Sequence, residues 1–491
     1  MDSNALENSQ IKAIVANNTL WLFISEIASR LFKAIIIIYA IRALGKNGWG
    51  MFSYTLALMG FFTIFAENGL GIMVSREIAS GGNNKKIISS AFFIKLVLLL
   101  ISTTVFIIYG LNSGKTEIHQ LIPIIGAMFF FDSLKEFYLI IGRAREKMHT
   151  ESAIRISSMF LNLLLTIVLF TKSKTPISLG YAYMISAFFG LIFSYIAYSK
   201  LVSINKIYLS IKSIGSIFIE AWPFTILAIT DILMFNIDTL MLGHFKSFGE
   251  TGLYSAAGRM VQLFYILPAL FSSALLPSLT KKLHSNDTQD LTASTGKAFS
   301  VISLFILPII IAILFLSKDI VGLLFGSDYH GSIVPIYILI FSIFPVFYTT
   351  LLNSSLFALN AQRKFVHLHI IGLLISIILN LILIPMYGAI GASISLVLSL
   401  GFIAVSTITK FNNEHKIDFS LIRLSLPKLF ISALIMSIII YLLQISGVNF
   451  IVSGVTGILI YFGILYILKE NSLLEIINHT PLKYIFKVNQ Y

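Results

Sequence analysis

Apolar runs of about 20 residues, each near the length a helix needs to cross a hydrocarbon core, recur along the whole chain. Leu96–Tyr109, Ile154–Phe170 with its flanks, Val301–Leu316, Ile370–Ile384 and Leu429–Leu443 with its neighbours are among them. The runs are helical rather than barrel strands, because barrel strands would show roughly 10-residue stretches of alternating polarity between turns. A soluble fold is excluded as well: 57% of the residues are hydrophobic and 12% charged, against about 25% charged in soluble domains. Read between polar breaks, the sequence predicts an all-α integral membrane protein of about fourteen spans. They cover approximately 18–42, 49–73, 88–110, 119–141, 153–171, 177–199, 214–242, 252–279, 294–316, 331–358, 365–386, 388–409, 425–445 and 449–468.

The net charge of +13 does not point to nucleic acid, because the basic residues are scattered through short loops instead of forming a stripe or a basic domain. They report topology. With the amino terminus in the cytoplasm, roughly 23 Lys or Arg fall in cytoplasmic segments against roughly 7 outside. That set includes Arg76, Arg143, Arg145, Lys147, Lys281, Lys282, Arg363, Lys364, Lys410 and Lys416. Both termini are therefore expected in the cytoplasm. The polar leader, Met1 to about Asn18, lacks a short apolar region with a small-residue cleavage site, so the first helix is expected to be retained.

Several chemistries find no residues. Cysteine is absent, which removes disulfides and thiolate metal sites. The nine histidines are scattered, and no His-Glu-x-x-His run exists. The nearest approach to a P-loop, Gly110 to Thr116, is one residue short of the required spacing, follows no strand and is predicted outside. No loop is long enough to hold a nucleotide-binding domain. No cofactor is expected.

A weak internal repeat sets the organisation. Leu44-Gly45 is followed by Trp49-Gly50-Met51-Phe52-Ser53, and Leu242-Gly243 by Thr251-Gly252-Leu253-Tyr254-Ser255. Each copy lies between a charged helix and the next span, so the first helix corresponds to the seventh and the unit is six spans. An even unit preserves orientation, which predicts two parallel lobes with a site between them. The lobes would be 1–205 (spans one to six) and 206–412 (spans seven to twelve), with 413–491 carrying a terminal helix pair and a tail.

Intramembrane charges mark candidate site residues, since each costs at least about 2.5–3.5 kcal/mol at mid-bilayer unless it faces a cavity or a partner. They concentrate in the first eight spans. Glu26, Arg30 and Lys33 share one face of the first helix, and Glu220, Asp231 and Asp238 one face of the seventh, interrupted by Trp222-Pro223. The two stripes lie on repeat-equivalent helices and predict the lining of a polar cavity. Arg30, Lys33 and, in the eighth span, Arg259 suit an anionic group such as phosphate or pyrophosphate; snorkelling or pairing, as of Arg30 with Glu26 at i,i+4, is the plainer alternative. Glu26, Glu220, Asp231 and Asp238 could take up a proton or sodium ion, or simply neutralise the basic residues. Asp132, Lys135 and Glu136 form a local cluster that reads as a structural ion pair. Lys95 reads as snorkelling or facing lipid.

The segment Ile41 to Tyr54, IRALGKNGWGMFSY, resembles the opening motif of bacterial polysaccharide flippases, the Wzx-like branch of the multidrug/oligosaccharidyl-lipid/polysaccharide exporter superfamily. Asp238 to Gly243 with Gly252 to Arg259 is similar to that family's second-lobe start. So are Leu324 to Tyr329 and Ile384 to Ala392. The four matches come in the family's order over essentially the full length. The resemblance implies outward flipping, by alternating access, of an undecaprenyl-pyrophosphate-linked oligosaccharide across the bacterial inner membrane, for O-antigen, capsule or exopolysaccharide. It implies a polysaccharide polymerase and a chain-length regulator as partners, coupling to a H+ or Na+ gradient, and cavity arginines at Arg30 and Arg259. Two other readings remain open at this point: a cation-coupled multidrug exporter of the same superfamily, and a membrane polymerase or glycosyltransferase, against which the lack of a large external loop counts.

Overall fold

In lipid every backbone polar group has to be satisfied within the segment, so apolar runs of this length become helices. The computed structural model describes residues 3–64, 66, 70–79, 85–199, 211–272, 288–359 and 361–478; among them there are helices and turns and no strand. The chain divides into two compact units, 1–252 and 253–491.

The first unit contains α1 (Ser3–Thr63), α2 (Leu70–Ala79), α3 (Lys85–Leu111), α4 (Leu121–Ala144), α5 (Met148–Lys172), α6 (Pro176–Tyr198) and α7 (Ile211–Phe245). α6 lies along both α4 and α5, while α1 packs against α5 and α7. α6 starts where Thr175 caps the Ser178 amide and Pro176 occupies the first turn, the position at which its missing N–H costs nothing. One core gathers Val74, Ile88, Phe137, Ile141, Ile154 and Tyr198.

Spans one and two are separated by far less than the predicted loop of residues 43–48. Helix continues on both sides of a single non-helical residue, Gly45, at φ 65 and ψ 174. That conformation is open to glycine and strained for other residues.

The two copies of the repeat motif meet each other at this end. A Cβ on Gly50 would lie 1.7 Å from the Phe248 carbonyl oxygen, and one on Gly252 would lie 1.9 Å from the Lys46 carbonyl oxygen. In each copy the carbonyl belongs to the residue four places before the glycine. The contact is therefore reciprocal, as a two-fold relation between copies requires. Lys115, from the turn after α3, donates to the Gly243 carbonyl and lies 5.6 Å and 5.2 Å from the ring centres of Tyr54 and Phe248, within cation–π range. The lysine of the P-loop-like segment thus braces this junction.

The second unit takes over within α8 (Phe248–Gln262) and continues through α9 (Thr288–Leu324), α10 (Ile333–Leu339), α11 (Ile343–Ala358), α12 (Val366–Tyr387), α13 (Ala389–His415), α14 (Ser420–Ile445) and α15 (Phe450–Ile467) to a short α16 (Asn471–Asn478). α12 pairs with α13, and α14 with both α9 and α15. The eighth and tenth spans are each interrupted by a 3-10 turn, Leu263–Tyr265 and Ile340–Ser342. The two turns are tied together by the Tyr265 and Ser342 hydroxyls, 2.6 Å apart.

Among the described residues nine helical segments are long and apolar enough to cross a membrane. The chain is an all-α, multi-pass membrane protein.

Candidate functional site

α1 has two exposed faces of opposite character. Leu20, Ile24, Leu31 and Ile35 are 50–58% exposed and fall together on one side of a helix of about 3.6 residues per turn. Roughly 140° round the same helix, Glu26, Arg30 and Lys33 form a second exposed stripe, which the exposed Phe23 begins one turn before Glu26. The apolar face suits lipid. The charged face does not, because charged side chains are costly to place in hydrocarbon; it suits water and polar ligands. Arg30 Nε and Glu26 Oε1 are 2.6 Å apart, with side chains 46% and 53% exposed, so the pair leaves much of both groups accessible.

On α7, Asp231 is exposed whereas Asp238 is fully buried. Seven residues apart, they share one face, and the acidic stripe runs from accessible surface into packed interior. Glu220 lies on α7, but its side chain is outside the described residues. Arg259 belongs to the second unit. It sits in the last turn of α8 before the 3-10 turn, and its Nη1 is 3.2 Å from Gln262 Oε1. Of the seven predicted residues, the structure puts Arg30 and Glu26 in direct contact.

A second charged constellation joins α4 to α5. The fully buried Glu151 carboxylate accepts from both nitrogens of the Arg143 fork and, at 3.0 Å, from Arg155 Nε. Arg155 Nη2 reaches Glu136 Oε2 at 2.7 Å. The next residue, Ser152, donates to the Trp21 carbonyl at 2.9 Å, which ties the network to α1. Lys135 pairs with Asp132, as expected, while Glu136 turns to α5. Removing Glu151 takes its carboxylate partner from Arg143 and leaves Arg155 with Glu136 alone. Glu151→Ala is expected to cost about 3 kcal/mol, and Arg143→Ala, whose side chain is 47% exposed, about 1 kcal/mol. Thermal unfolding of the purified variants checks this, and equal losses would refute it.

Lys95 corrects an expectation. It is 3% exposed, on the face of α3 that carries Leu99, Ser102 and Phe106, also buried, while Val97, Leu100, Ile101 and Ile108 occupy the exposed side. It faces the protein interior.

Comparison with known proteins decides the family. The family model described as polysaccharide biosynthesis protein matches residues 15–283. The chain belongs to the polysaccharide biosynthesis protein family. A second family model, lipid II flippase MurJ, matches residues 203–461 of this polysaccharide biosynthesis protein. Among curated relatives, the probable flippase AglR of Haloferax volcanii is 24% identical over 393 residues, 77% of this chain and 79% of the relative. The probable low-salt glycan biosynthesis flippase Agl15 of the same organism is 24% identical over 255 residues, 51% of this chain and 52% of the relative.

Among solved structures, lipid II flippase MurJ in an inward closed conformation superposes with a TM-score of 0.71 at 18% identity, covering 91% of this chain and 98% of that one. An inward-facing multidrug resistance MATE family transporter gives 0.64 at 14% identity, covering 78% and 95%. These likenesses show a shared fold. The polysaccharide biosynthesis protein is a member of the multidrug/oligosaccharidyl-lipid/polysaccharide exporter superfamily, and a transporter rather than an enzyme.

For this polysaccharide biosynthesis protein, sequence reasoning missed the role of Glu151 and Arg155. Both lie on α5 at i,i+4 with Ser158, Asn162 and Thr166 following on the same face. That polar stripe through an apolar run was the available signal.

Proposed function

We propose that this protein is a flippase for lipid-linked glycans, carrying an undecaprenyl-pyrophosphate-linked oligosaccharide repeat unit from the inner to the outer leaflet by alternating access. The observation that carries the reading is the charged stripe of Glu26, Arg30 and Lys33, exposed on a helix whose other exposed side is apolar. A lipid-linked oligosaccharide has the same division: an anionic, hydroxyl-rich head that hydrocarbon cannot dissolve and a polyprenyl tail that it can. The protein shields the head while the tail stays in lipid, and no covalent chemistry is needed.

In this proposal Arg30, Lys33 and Arg259 hold the pyrophosphate, the arginines through their planar donor forks. Glu26, Glu220, Asp231 and Asp238 couple the cycle to a H+ or Na+ gradient. The moving parts are the two six-helix lobes, 1–205 and 206–412. The setting is a bacterial inner membrane, with both termini cytoplasmic and a polymerase and chain-length regulator downstream in surface polysaccharide assembly. The family match and the flippase relatives support this reading.

The test is reconstitution of the purified chain in liposomes holding a fluorescent polyprenyl-pyrophosphate oligosaccharide, with a membrane-impermeant quencher reporting the leaflet. Protein-dependent appearance of the lipid in the opposite leaflet is expected. Absence of that movement, with uptake of an amphipathic cation instead, would replace the proposal by multidrug export, the reading that the MATE-like fold favours. New glycosidic bonds formed by the purified chain would refute both.

A further inference from the structure

One end of the α12–α13 pair carries a cationic cluster set above an exposed apolar column. Lys364, its side chain 60% exposed, meets Glu414 Oε2 at 3.0 Å. The Lys410 ammonium donates to the Lys364 carbonyl, lies 3.5 Å from His367 Nε2 and stands 5.1 Å from the centre of the Phe365 ring. Arg363 and Lys416 are exposed at the same end. Four permanent cations thus gather with the Glu414 carboxylate, and the exposed Asp418 follows two residues after Lys416. The Lys364 carbonyl and the Phe365 ring carry no net charge and position the Lys410 ammonium without discharging it.

From His367 onward α12 exposes Ile370, Ile371, Leu374, Ile378, Leu381 and Ile382, each 39–56%. Their offsets of 3, 4, 7, 11, 14 and 15 from His367 place them on one face, in line beneath the cluster. We propose that this surface is a binding site for an anionic phospholipid: the phosphodiester sits among Arg363, Lys364 and Lys410, and the acyl chains lie along the α12 column. Charge complementarity selects an anionic headgroup over a zwitterionic one. The column continues the site over a length that only a lipid uses, since a free phosphate makes no contact with it. Lys410 is already held in place, so little side-chain freedom is lost on binding. The site lies in the second unit, apart from Arg30 and Lys33, and the inference rests on the protein spanning a membrane, not on what it transports.

Native mass spectrometry of the full chain, equilibrated in detergent with equal amounts of phosphatidylglycerol and phosphatidylcholine, tests the assignment. Preferential retention of phosphatidylglycerol is expected. In Arg363→Gln/Lys364→Gln that retention should fall at least fivefold, from roughly fivefold per basic group near an anionic headgroup. Phosphatidylcholine retention should stay constant, which reports an intact fold. Lys364→Arg, which keeps the charge, should retain phosphatidylglycerol, and Lys410→Gln should lose it independently. Equal phosphatidylglycerol retention in wild type and both Gln variants would overturn the proposal. So would displacement of the lipid by millimolar inorganic phosphate, which would identify a free-anion site instead.

Discussion

Replacing Gly50 or Gly252 with alanine is expected to destabilise the folded protein severely, whereas Gly401→Ala should leave it as stable as the wild type or slightly more so. Helix propensity alone gives all three the same sign, since Ala is favoured over Gly in a helix by about 1 kcal/mol. Contact reverses it at two of them. The added methyl at Gly50 would meet Phe248 oxygen at 1.7 Å and Phe248 carbon at 2.7 Å; at Gly252 it would meet Lys46 oxygen at 1.9 Å and carbon at 2.8 Å. These are backbone atoms, which no rotamer change can move. Nothing lies within 4 Å of the corresponding point on Gly401. Forcing the two chain segments apart should cost more than about 4 kcal/mol, beyond the usual range of single substitutions, out of a total of about 5–15 kcal/mol. Thermal unfolding followed by size-exclusion chromatography is the measurement. A Gly50→Ala protein that melts like Gly401→Ala would show that the reciprocal contact is absent in solution.

Under the proposed function, Arg30→Ala/Arg259→Ala is expected to fold normally and to slow movement of the pyrophosphate-linked sugar by about 100-fold or more. A hydrogen bond to a charged group is worth about 1.5–3 kcal/mol, and two guanidinium groups are removed. Stability should hardly change, because the Arg30–Glu26 pair is half exposed and such pairs contribute at most about 1 kcal/mol. The two readouts therefore separate a substrate role from a structural one. Arg30→Lys keeps the charge and loses the planar fork, so its rate should fall between the two. Leaflet exchange in liposomes measures the rate and thermal unfolding the stability. Wild-type rates in a well-folded double variant would remove these arginines from the site.

Much of the architecture was legible because the bilayer imposes one rule at every point: an apolar segment must satisfy its own backbone. The predicted span 177–199 is the helix Pro176–Tyr198, 365–386 is Val366–Tyr387 and 449–468 is Phe450–Ile467. The repeat was legible for a different reason. Gly50 and Gly252 are held by a close approach that admits no side chain, so the motif survives in the letters of both copies.

Facing and partnership were not legible to the same degree. Spacing put Glu26, Arg30 and Lys33 on one side of a helix, but spacing is silent on whether that side meets protein, water or lipid. It left Lys95 looking like a lipid-facing residue until packing placed it inside. Nor could it join Glu136 and Arg155, 19 positions apart, because that contact depends on how α4 lies against α5. The eight-residue α16 escaped altogether. It is too short to show a period, and what holds it is tertiary: the buried Glu470 carboxylate accepts from the Leu473 amide and the Ser425 hydroxyl, and Ser472 meets Ser300. By itself the sequence determined that the chain is a multi-pass bundle of apolar helices, since that follows from the backbone's need for hydrogen bonds. Only the tertiary structure decided which charges are exposed and which are paired, because those depend on side chains brought together from different helices.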